Sequence, residues 1–458
     1  MRNRKHVIGL AVALTIAAAL AILAIPLLAG TNSGILTFTN TALTVPEGES
    51  EPEISIAPDG TMAIVGLQWL LLNPNFFGTH LWTGPFNSTP TFQGLIDAGL
   101  SKSGKEIFGS EDADIDFGST GTLHGTTLLA LVNPTFKKAQ IGVSAVTCPN
   151  ASASFNLANC TEQIIDGAGA DRPWITSDGS HVYISYHDSG NSSLIHVQRS
   201  GDDGFTWNHA GDPIVGQGGT TAGSTFNNEQ GNLAADPISH NVYDIYASGQ
   251  PGILKAKTAT FNHVIVSRST DFGKSWTAVT VFEAPPPASF DSIFPSLAVD
   301  KTNGKLYAAW SDGHTIGFST SSDQGLHWSA AVSVNIAPAS TAVFPWVAAY
   351  GGTVDVVYYG TTATSDSDPS AVWNVYIAQT VNDGASFAQS LVSNKSNHTG
   401  VICTNGVGCA PGTRNLLDLF QVAIDPLNGR AAIIYTDDTL TTDSTGAPLP
   451  QIVLAQQQ

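Results

Sequence analysis

The sequence predicts an all-β protein, a seven-bladed β-propeller made of four-stranded sheets. Three observations predict this fold: a turn-rich composition, a strand pair repeated about every sixty residues, and a spare strand segment at the N-terminal end. The 458 residues include 45 glycines and 24 prolines, and no long helical pattern follows residue 30. With 42% hydrophobic and only 12% charged residues, the chain is neither disordered nor a coiled coil.

The repeated element is a pair of short apolar segments joined by a Gly, Asp or Asn turn, which is typical of a β-hairpin. One copy begins at Glu51 (EPEISIAPDGTMAIVGLQW) and another at Asp171 (DRPWITSDGSHVYISYHD). Seven copies predict seven blades, and six blades remain the alternative if the segment around Ala113 is an insertion. The aligned positions, 50 to 75 residues apart, are Pro52, Ala113, Pro173, Gly231, Pro295, Pro345 and Phe420.

The two ends of the chain are predicted to complete the last blade together. The last unit contains a hairpin and a third strand, QIVLAQQQ, and then the sequence ends. The segment ILTFTNTALTV, before the first hairpin, can supply the missing fourth strand. Such pairing closes the ring and leaves no exposed radial edge, so residues 31–458 are predicted to form one propeller domain.

Four units contain an eight-residue box with the pattern Ser/Thr-x-Asp-x-Gly-x-Ser/Thr-Trp, as in SGDDGFTW from Ser200. An Asp in a tight turn accepts hydrogen bonds from backbone N–H groups, Gly allows a positive φ, and the closing aromatic residue can pack between neighbouring sheets. We therefore predict a structural role for these residues rather than a catalytic one. They are Asp202, Gly204, Trp207, Asp271, Gly273, Trp276, Asp323, Gly325, Trp328, Asn382, Gly384 and Phe387.

The box resembles the Asp box, or BNR repeat, of the sialidase-like β-propeller superfamily, and as architecture this resemblance covers nearly all of residues 31–458. It implies a carbohydrate-active protein, either glycan-binding or a glycoside hydrolase, with a non-catalytic cell-surface propeller as the alternative. Sialidases use three arginines to clamp a carboxylate. The arginines outside the leader are Arg172, Arg199, Arg268, Arg414 and Arg430. Arg199 and Arg268 precede boxes and Arg430 lies in a hairpin turn, so the clamp is incomplete and ordinary sialidase activity is not expected.

Antiparallel strand order puts the boxes and hairpin turns on one face and the remaining loops on the other, where propellers usually bind ligands. Carboxyl groups on that face can supply the acid and the nucleophile or base of glycoside hydrolysis. The catalytic candidates are Asp171, Asp188, Asp291, Asp312 and Asp437, and the substrate-binding candidates are Arg172, Arg414, His187 and Asp418. The alternatives are turn caps for these Asp residues and an ion pair for Asp171 with Arg172. No metal site is predicted, although clustered carboxylates could hold Ca²⁺.

The N-terminus predicts export. Arg2, Arg4 and Lys5 precede an apolar run over residues 7–28, so residues 1–30 are predicted to be a signal peptide or an N-terminal membrane anchor. Positive residues before this run would leave the rest of the chain outside the cytoplasmic membrane. Both alternatives give an extracellular protein.

The four cysteines agree with export. We predict the pairs Cys148–Cys160 and Cys403–Cys409, the simplest of three connectivities. The formal net charge of −19 repels phosphate backbones, which argues against a nucleic-acid partner. The predicted partner is a glycan or a cell-surface protein, bound by a monomer.

Overall fold

The computed structural model describes residues 35–68, 78–97, 107–133, 138–167, 169–188, 194–214, 228–249, 261–291 and 293–458. The predicted leader, residues 1–30, lies outside these ranges, so its two alternatives stay predictions. Within the described ranges, we find no helix that is long and apolar enough to span a bilayer. Almost all regular structure is β-strand, arranged in seven sheets.

Each sheet is one blade, and its strands follow one another along the chain. Blade 1 contains β2 (Glu49–Ile56), β3 (Thr61–Gln68), β4 (Thr79–Pro85) and β5 (Thr91–Leu95). Blade 2 contains β6 (Ile107–Phe117), β7 (Leu123–Asn133), β8 (Lys138–Cys148) and β9 (Thr161–Asp166). Blade 3 contains β10 (Ala170–Asp178), β11 (His181–Asp188), β12 (Ile195–Ser200) and β13 (Asn208–His209).

The later blades repeat this order. Blade 4 contains β14 (Asn228–Ala235), β15 (Val242–Ser248), β16 (His263–Ser269) and β17 (Thr277–Glu283). Blade 5 contains β18 (Ser296–Val299), β19 (Leu306–Ser311), β20 (Ile316–Ser321) and β21 (Val332–Ser333). Blade 6 contains β22 (Thr341–Tyr350), β23 (Thr353–Thr361), β24 (Val372–Thr380) and β25 (Ala388–Leu391), and the short β26 (His398–Thr399) also pairs with β24. Blade 7 contains β27 (Gln421–Ile424), β28 (Ala431–Thr442), β29 (Pro448–Gln457) and β1 (Phe38–Leu43).

The predicted ring closure is confirmed in blade 7. Strand β1 pairs antiparallel with β29, with Phe38 opposite Gln457 and Leu43 opposite Ile452. Leu43 is buried in a hydrophobic cluster together with Ile452 and Leu454, so the N-terminal strand belongs to the core. Seven sheets are present, and the six-blade alternative is therefore wrong.

The inner strands line the axis and are joined from blade to blade by side chains. β2, β6, β10, β14, β18, β22 and β27 contact one another in this order, and β27 contacts β2 again. The edge of a sheet leaves backbone N–H groups without partners, and here a side chain of the preceding blade accepts them at 2.8–3.1 Å. The pairs, with the backbone N–H donor named first and the side-chain acceptor second, are Ile54 with Gln421, Phe117 with Ser55, Ile175 with Asp114, Leu297 with Asn232 and Val347 with Ser296.

The eight-residue boxes form the corners between the third and fourth strands. In the box that begins at Ser269, Asp271 accepts the backbone N–H of Ser275 at 2.9 Å and its hydroxyl at 2.6 Å. Gly273 has φ 79°, in the left-handed region that favours glycine, and its carbonyl accepts Trp276 Nε1 at 3.0 Å. Trp276 is buried between blades 3 and 4, beside Tyr183 and Val242 of those two sheets.

The most divergent box keeps the same geometry. Asn382 replaces Asp and accepts the backbone N–H of Ser386 at 3.1 Å. Phe387 replaces Trp and packs edge-on against Phe318 of blade 5, with ring centroids 5.1 Å apart. The substitutions therefore preserve both the turn and the contact with the preceding blade.

Both predicted disulfides are present. Cys148, at the end of β8, is bonded to Cys160, and Cys403 is bonded to Cys409. Each bond closes a short loop, with sequence separations of 12 and 6 residues. The described residues contain no free cysteine.

Candidate functional site

Charged side chains from several blades converge where the inner strands begin, on the face opposite the boxes. Arg172 of β10 forms an ion pair with Glu53, and its Nη1 atom lies 3.6 Å from Glu51 Oε2 and 3.6 Å from Asp112 Oδ1. Asp114 and a second arginine, Arg414, also interact electrostatically with members of this group. We call the set the axial charge cluster: Glu51, Glu53, Asp112, Asp114, Arg172, Arg414 and Asp418.

The backbone and an aromatic stack together direct Arg172 toward the axis. The pairing of β10 with β11 shifts register between Asp171 and Trp174, and Arg172, in this bulge, has φ 38°. A positive φ is costly for a residue with a side chain, so favourable contacts must maintain it. The guanidinium lies 4.2 Å from the Trp174 ring centre, a cation–π contact, and the Trp174 ring also stacks with Trp346, with ring centroids 5.3 Å apart.

Arg414 and Asp418 form a two-point pair in the loop before β27. Arg414 Nε donates to Asp418 Oδ1 at 3.0 Å, and Nη2 donates to the second carboxylate oxygen. The backbone N–H of Asp418 donates to Glu51 Oε1 at 2.9 Å, which ties this loop to blade 1. The side chains of Arg414, Asp418 and Asp112 are 27%, 19% and 22% exposed, so they form the solvent-facing side of the cluster.

Burial sets the protonation of the inner carboxyl groups. It raises the pKa of Glu51 and of Glu53 well above the usual range, and the neighbouring charges of Asp112 and Asp114 raise these values further, while Arg172 opposes the rise. Both glutamates therefore retain a proton at pH values where an exposed glutamate is ionised. Burial opposes the charge of Arg172, but the surrounding carboxylates outweigh it and raise the pKa of Arg172 above its usual value.

A cavity of about 530 Å³ extends along the axis from the cluster toward the hairpin turns. Asp114 and Gln421 line the cavity on the side of the charge cluster, and Pro58, Gly179 and Pro426 line it on the side of the hairpin turns. Aliphatic side chains of the inner strands form much of the wall between them. We place the candidate site at the charge cluster rather than in this cavity, because ionisable groups with perturbed pKa values converge at the cluster.

Three of the predicted site residues, Arg172, Arg414 and Asp418, meet in the cluster. Asp171 precedes Arg172, is exposed, and lies opposite His187 in the β10–β11 ladder. These two residues border the site through the strand that carries Arg172.

The other predicted catalytic residues lie outside the cluster. Asp188 Oδ2 lies 3.3 Å from an imidazole nitrogen of His196 in blade 3, and Asp291 is exposed in the turn before β18. Asp312 accepts the backbone N–H groups of two residues that follow it, at 3.0 and 2.7 Å. Asp437 is buried and accepts the backbone N–H of Thr439 at 2.8 Å. Asp312 and Asp437 thus make the turn contacts that the alternative interpretation predicted.

Sequence reasoning missed four carboxyl groups of the cluster, although the hairpin alignment contained them. In the first two repeats, the residues on either side of the aligned position are Glu51 and Glu53, then Asp112 and Asp114. In the third repeat, Arg172 takes the first of these places. Residues at one register position of successive inner strands meet around the axis, so this column of two acidic residues and one arginine was the available signal.

The cluster combines proton donors, carboxylates and two guanidinium groups in one place. Glu51 Oε2 and Asp112 Oδ1 lie 3.6 Å from the same nitrogen of Arg172, so these two oxygens are no more than twice 3.6 Å apart. Both arginines already pair with protein carboxylates. These carboxylates are also the ones that a Ca²⁺ ion would need, and Ca²⁺ binding stays a prediction.

Fold and site together define a seven-bladed β-propeller with an acidic, arginine-containing cluster at one end of its axis. No protein-family model matches the chain, and no curated protein matches it. Among solved structures, a protein of unknown function from Dyadobacter fermentans is similar with a TM-score of 0.51 and 12% identity, over 93% of this chain and 100% of that one. This likeness supports the fold alone.

Two enzymes with lower TM-scores also match most of the chain. Phage phi92 endosialidase has a TM-score of 0.49 and 9% identity, over 92% of this chain and 69% of the enzyme. An α-L-arabinanase of Penicillium chrysogenum, solved with arabinobiose, has a TM-score of 0.42 and 10% identity, over 92% of this chain and 98% of the enzyme. The structural neighbours therefore include carbohydrate-active proteins, and the reaction has to be argued from the site itself.

Proposed function

We propose that this chain is an exported carbohydrate-active propeller that hydrolyses a neutral glycan at the axial charge cluster. One observation carries the proposal: Oε2 of Glu51, a buried carboxyl group whose pKa burial raises, and Oδ1 of Asp112, a solvent-facing carboxyl group, each lie 3.6 Å from the same guanidinium nitrogen of Arg172. Glycoside hydrolysis requires two carboxyl groups in such different environments.

The proposed roles follow from protonation and exposure. Glu51 donates its proton to the oxygen of the leaving sugar, and Asp112 acts as the nucleophile or activates a water molecule. Carboxyl groups of glycosidases are about 5–5.5 Å apart when configuration is retained and about 6.5–9.5 Å apart when it is inverted. Glu51 Oε2 and Asp112 Oδ1 are separated by no more than twice 3.6 Å, which is compatible with the retaining arrangement and with only the shortest inverting separations. Arg172 holds both groups in position.

The charge of the cluster favours an uncharged substrate. Five carboxyl groups surround two guanidinium groups, and each guanidinium already contacts a carboxyl group of the protein. A sugar carboxylate would therefore meet negative charge without a free arginine to bind it, whereas sugar hydroxyl groups can donate to Asp112 and Asp418. This agrees with the incomplete arginine clamp. Export is supported by the basic-then-apolar leader and by the two disulfides.

The test is a panel of neutral and sialylated aryl-glycosides and oligosaccharides. We expect turnover of a neutral substrate, and a loss of about 10²–10⁴-fold in Asp112→Asn and Glu51→Gln. The matched control is Asp116→Asn, an acidic residue of the same inner strand that bonds Ser177 Oγ at 2.6 Å farther along the axis, and it should retain activity. Full activity of Asp112→Asn, or turnover of sialosides alone, would exclude the proposed roles.

Glycan binding without hydrolysis is the second candidate. The observation that favours it is the depth of the inner carboxyl groups, because Glu51 and Glu53 are only 3% and 0% exposed. In that case the wild-type protein binds a neutral glycan in an array or by calorimetry but releases no product. Asp112→Asn would then weaken binding, and Asp116→Asn would leave it unchanged.

A further inference from the structure

Two histidines and an aspartate meet on the outer strands of blade 3, outside the axial charge cluster. His196 lies in β12, His209 lies in β13, and Asp212 follows β13. Asp212 Oδ1 is 3.0 Å from His196 Nδ1 and 3.2 Å from His209 Nε2. One ligand atom from each of the three residues lies within 4.8 Å of the other two.

These distances match the spacing of metal ligands. Zn²⁺ binds His nitrogen and carboxylate oxygen at about 2.0–2.2 Å in tetrahedral sites, which places neighbouring ligand atoms about 3.4 Å apart. The two measured oxygen–nitrogen distances are close to that value, so an ion can bind with small side-chain movements. Two imidazoles and one carboxylate form a donor set suited to Zn²⁺, Co²⁺ or Ni²⁺ rather than to Ca²⁺ or Mg²⁺, which prefer oxygen ligands alone.

A fourth residue, Asp188, orients one of the histidines. Its Oδ2 lies 3.3 Å from His196 Nε2, the ring nitrogen that does not face Asp212. Histidines that bind metal usually donate their other N–H group to a carboxylate, which fixes the tautomer and the ring orientation. The contact therefore leaves Nδ1 of His196 available as a ligand.

The side chains are accessible without being freely mobile. His196 and Asp212 are 22% and 34% exposed, and His209 is 52% exposed, so an ion can enter from solvent. The ring of His196 packs against Tyr186, with centroids 5.6 Å apart. The hydroxyl of Tyr186 is in turn held by Asp166 at 2.6 Å, which stabilises this wall of the site.

We propose that His196, His209 and Asp212 bind one divalent transition-metal ion such as Zn²⁺, with Asp188 as the residue that positions His196. Three protein ligands leave one tetrahedral position for water or another small ligand. The site is independent of the glycan site proposed above.

The experiment is a calorimetric titration of the untagged protein, treated with chelator and then dialysed, with Zn²⁺ and with Ca²⁺. We expect one Zn²⁺ per chain and no comparable Ca²⁺ binding. Co²⁺ should give the visible absorption of a tetrahedral ion. His209→Ala and Asp212→Asn should abolish stoichiometric binding, and Asp188→Asn should weaken it about 10–100-fold.

The matched control is His240→Ala. His240 is exposed and also pairs with a carboxylate, that of Asp178, at 2.6 Å. Among the described residues, however, this pair has no third His, Cys, Asp or Glu close enough to complete a metal site. The variant should bind Zn²⁺ like the wild type. Unchanged binding in His209→Ala, or Zn²⁺ uptake that never saturates at one equivalent, would overturn the proposal. Because His209 is largely exposed, its replacement should leave the fold intact, and circular dichroism checks this.

Discussion

Replacing Arg172 with methionine should destabilise the propeller strongly at neutral pH. Arg172 is 4% exposed and contacts three carboxyl groups, those of Glu51, Glu53 and Asp112. Methionine keeps much of the apolar stem but leaves the buried glutamates without their cation. Breaking a buried ion pair from one side costs about 3–5 kcal/mol, and the lost cation–π contact with Trp174 adds about 1 kcal/mol. We therefore expect the free energy of unfolding to fall by about 4–6 kcal/mol.

The loss should depend on pH in a defined direction. The pKa values of Glu51 and Glu53 are higher in the folded protein than the value of about 4.3 for an unfolded chain. Between the two values the folded state binds more protons, so this contribution to stability decreases as pH rises and is restored as pH falls. Arg172 limits the rise in pKa. Without Arg172, the folded pKa values of the two glutamates rise further, and the pH range over which their ionisation destabilises the fold widens. The stability that Arg172→Met loses relative to the wild type should therefore grow toward about pH 8 and shrink toward about pH 5.

The measurement is urea denaturation followed by tryptophan fluorescence at these two pH values. Arg430→Met is the matched control, because Arg430 is exposed in the turn between β27 and β28. Its stability should change by less than about 0.5 kcal/mol. Two results would refute the reasoning: Arg172→Met as stable as the wild type at about pH 8, or a deficit that grows on acidification.

Three further changes test other parts of the fold by the same denaturation assay. Burial raises the pKa of Asp355 to about 7, so the wild-type protein should lose stability as pH rises from about 4 to 7 and this carboxyl group ionises. Asp355→Asn should abolish this loss and be about 2–4 kcal/mol more stable than the wild type at about pH 8. An unchanged pH profile would contradict this. Leu43→Ala should cost about 2–4 kcal/mol because the N-terminal strand is part of the core, whereas Ile35→Ala, at an 86% exposed position, should cost nothing measurable. Asp271→Ala should cost about 1–3 kcal/mol through the lost corner hydrogen bonds, and a neutral result would exclude a structural role for the box.

The fold could be predicted because its signals are local. A strand pair, its turn and the box at Ser269 are each readable within about twenty residues, and seven repetitions of the pattern imply the ring. Ring closure followed from the same regularity, because the last unit lacked one strand and the segment at Phe38–Leu43 had no partner. The disulfides followed from short sequence separations such as that between Cys403 and Cys409.

The site was only partly predictable because its contacts join distant parts of the chain. Arg172 meets Glu53 across 119 residues, and Asp418 meets Glu51 across 367 residues. Neither separation leaves a local pattern. The candidates chosen for their place at the end of a strand, such as Asp312, satisfy their own turn instead. Position in a loop identified the face on which the axial charge cluster lies but could not distinguish a turn cap from a group that reaches the axis.

In a repeat protein the shared positions maintain the scaffold, so the positions at which repeats differ are the ones that can carry function. The residue before each aligned position illustrates this, because every copy places it in an inner strand or directly before one. It is charged in the first three repeats (Glu51, Asp112 and Arg172) and uncharged in the others, where Gln230 and Phe294 stand in the next two. A repeated turn or plug would keep one residue type throughout. Three adjacent charges of both signs, buried or partly buried at one end of the axis, are not required by the repeat, and this departure from it is why the axial charge cluster is the candidate site.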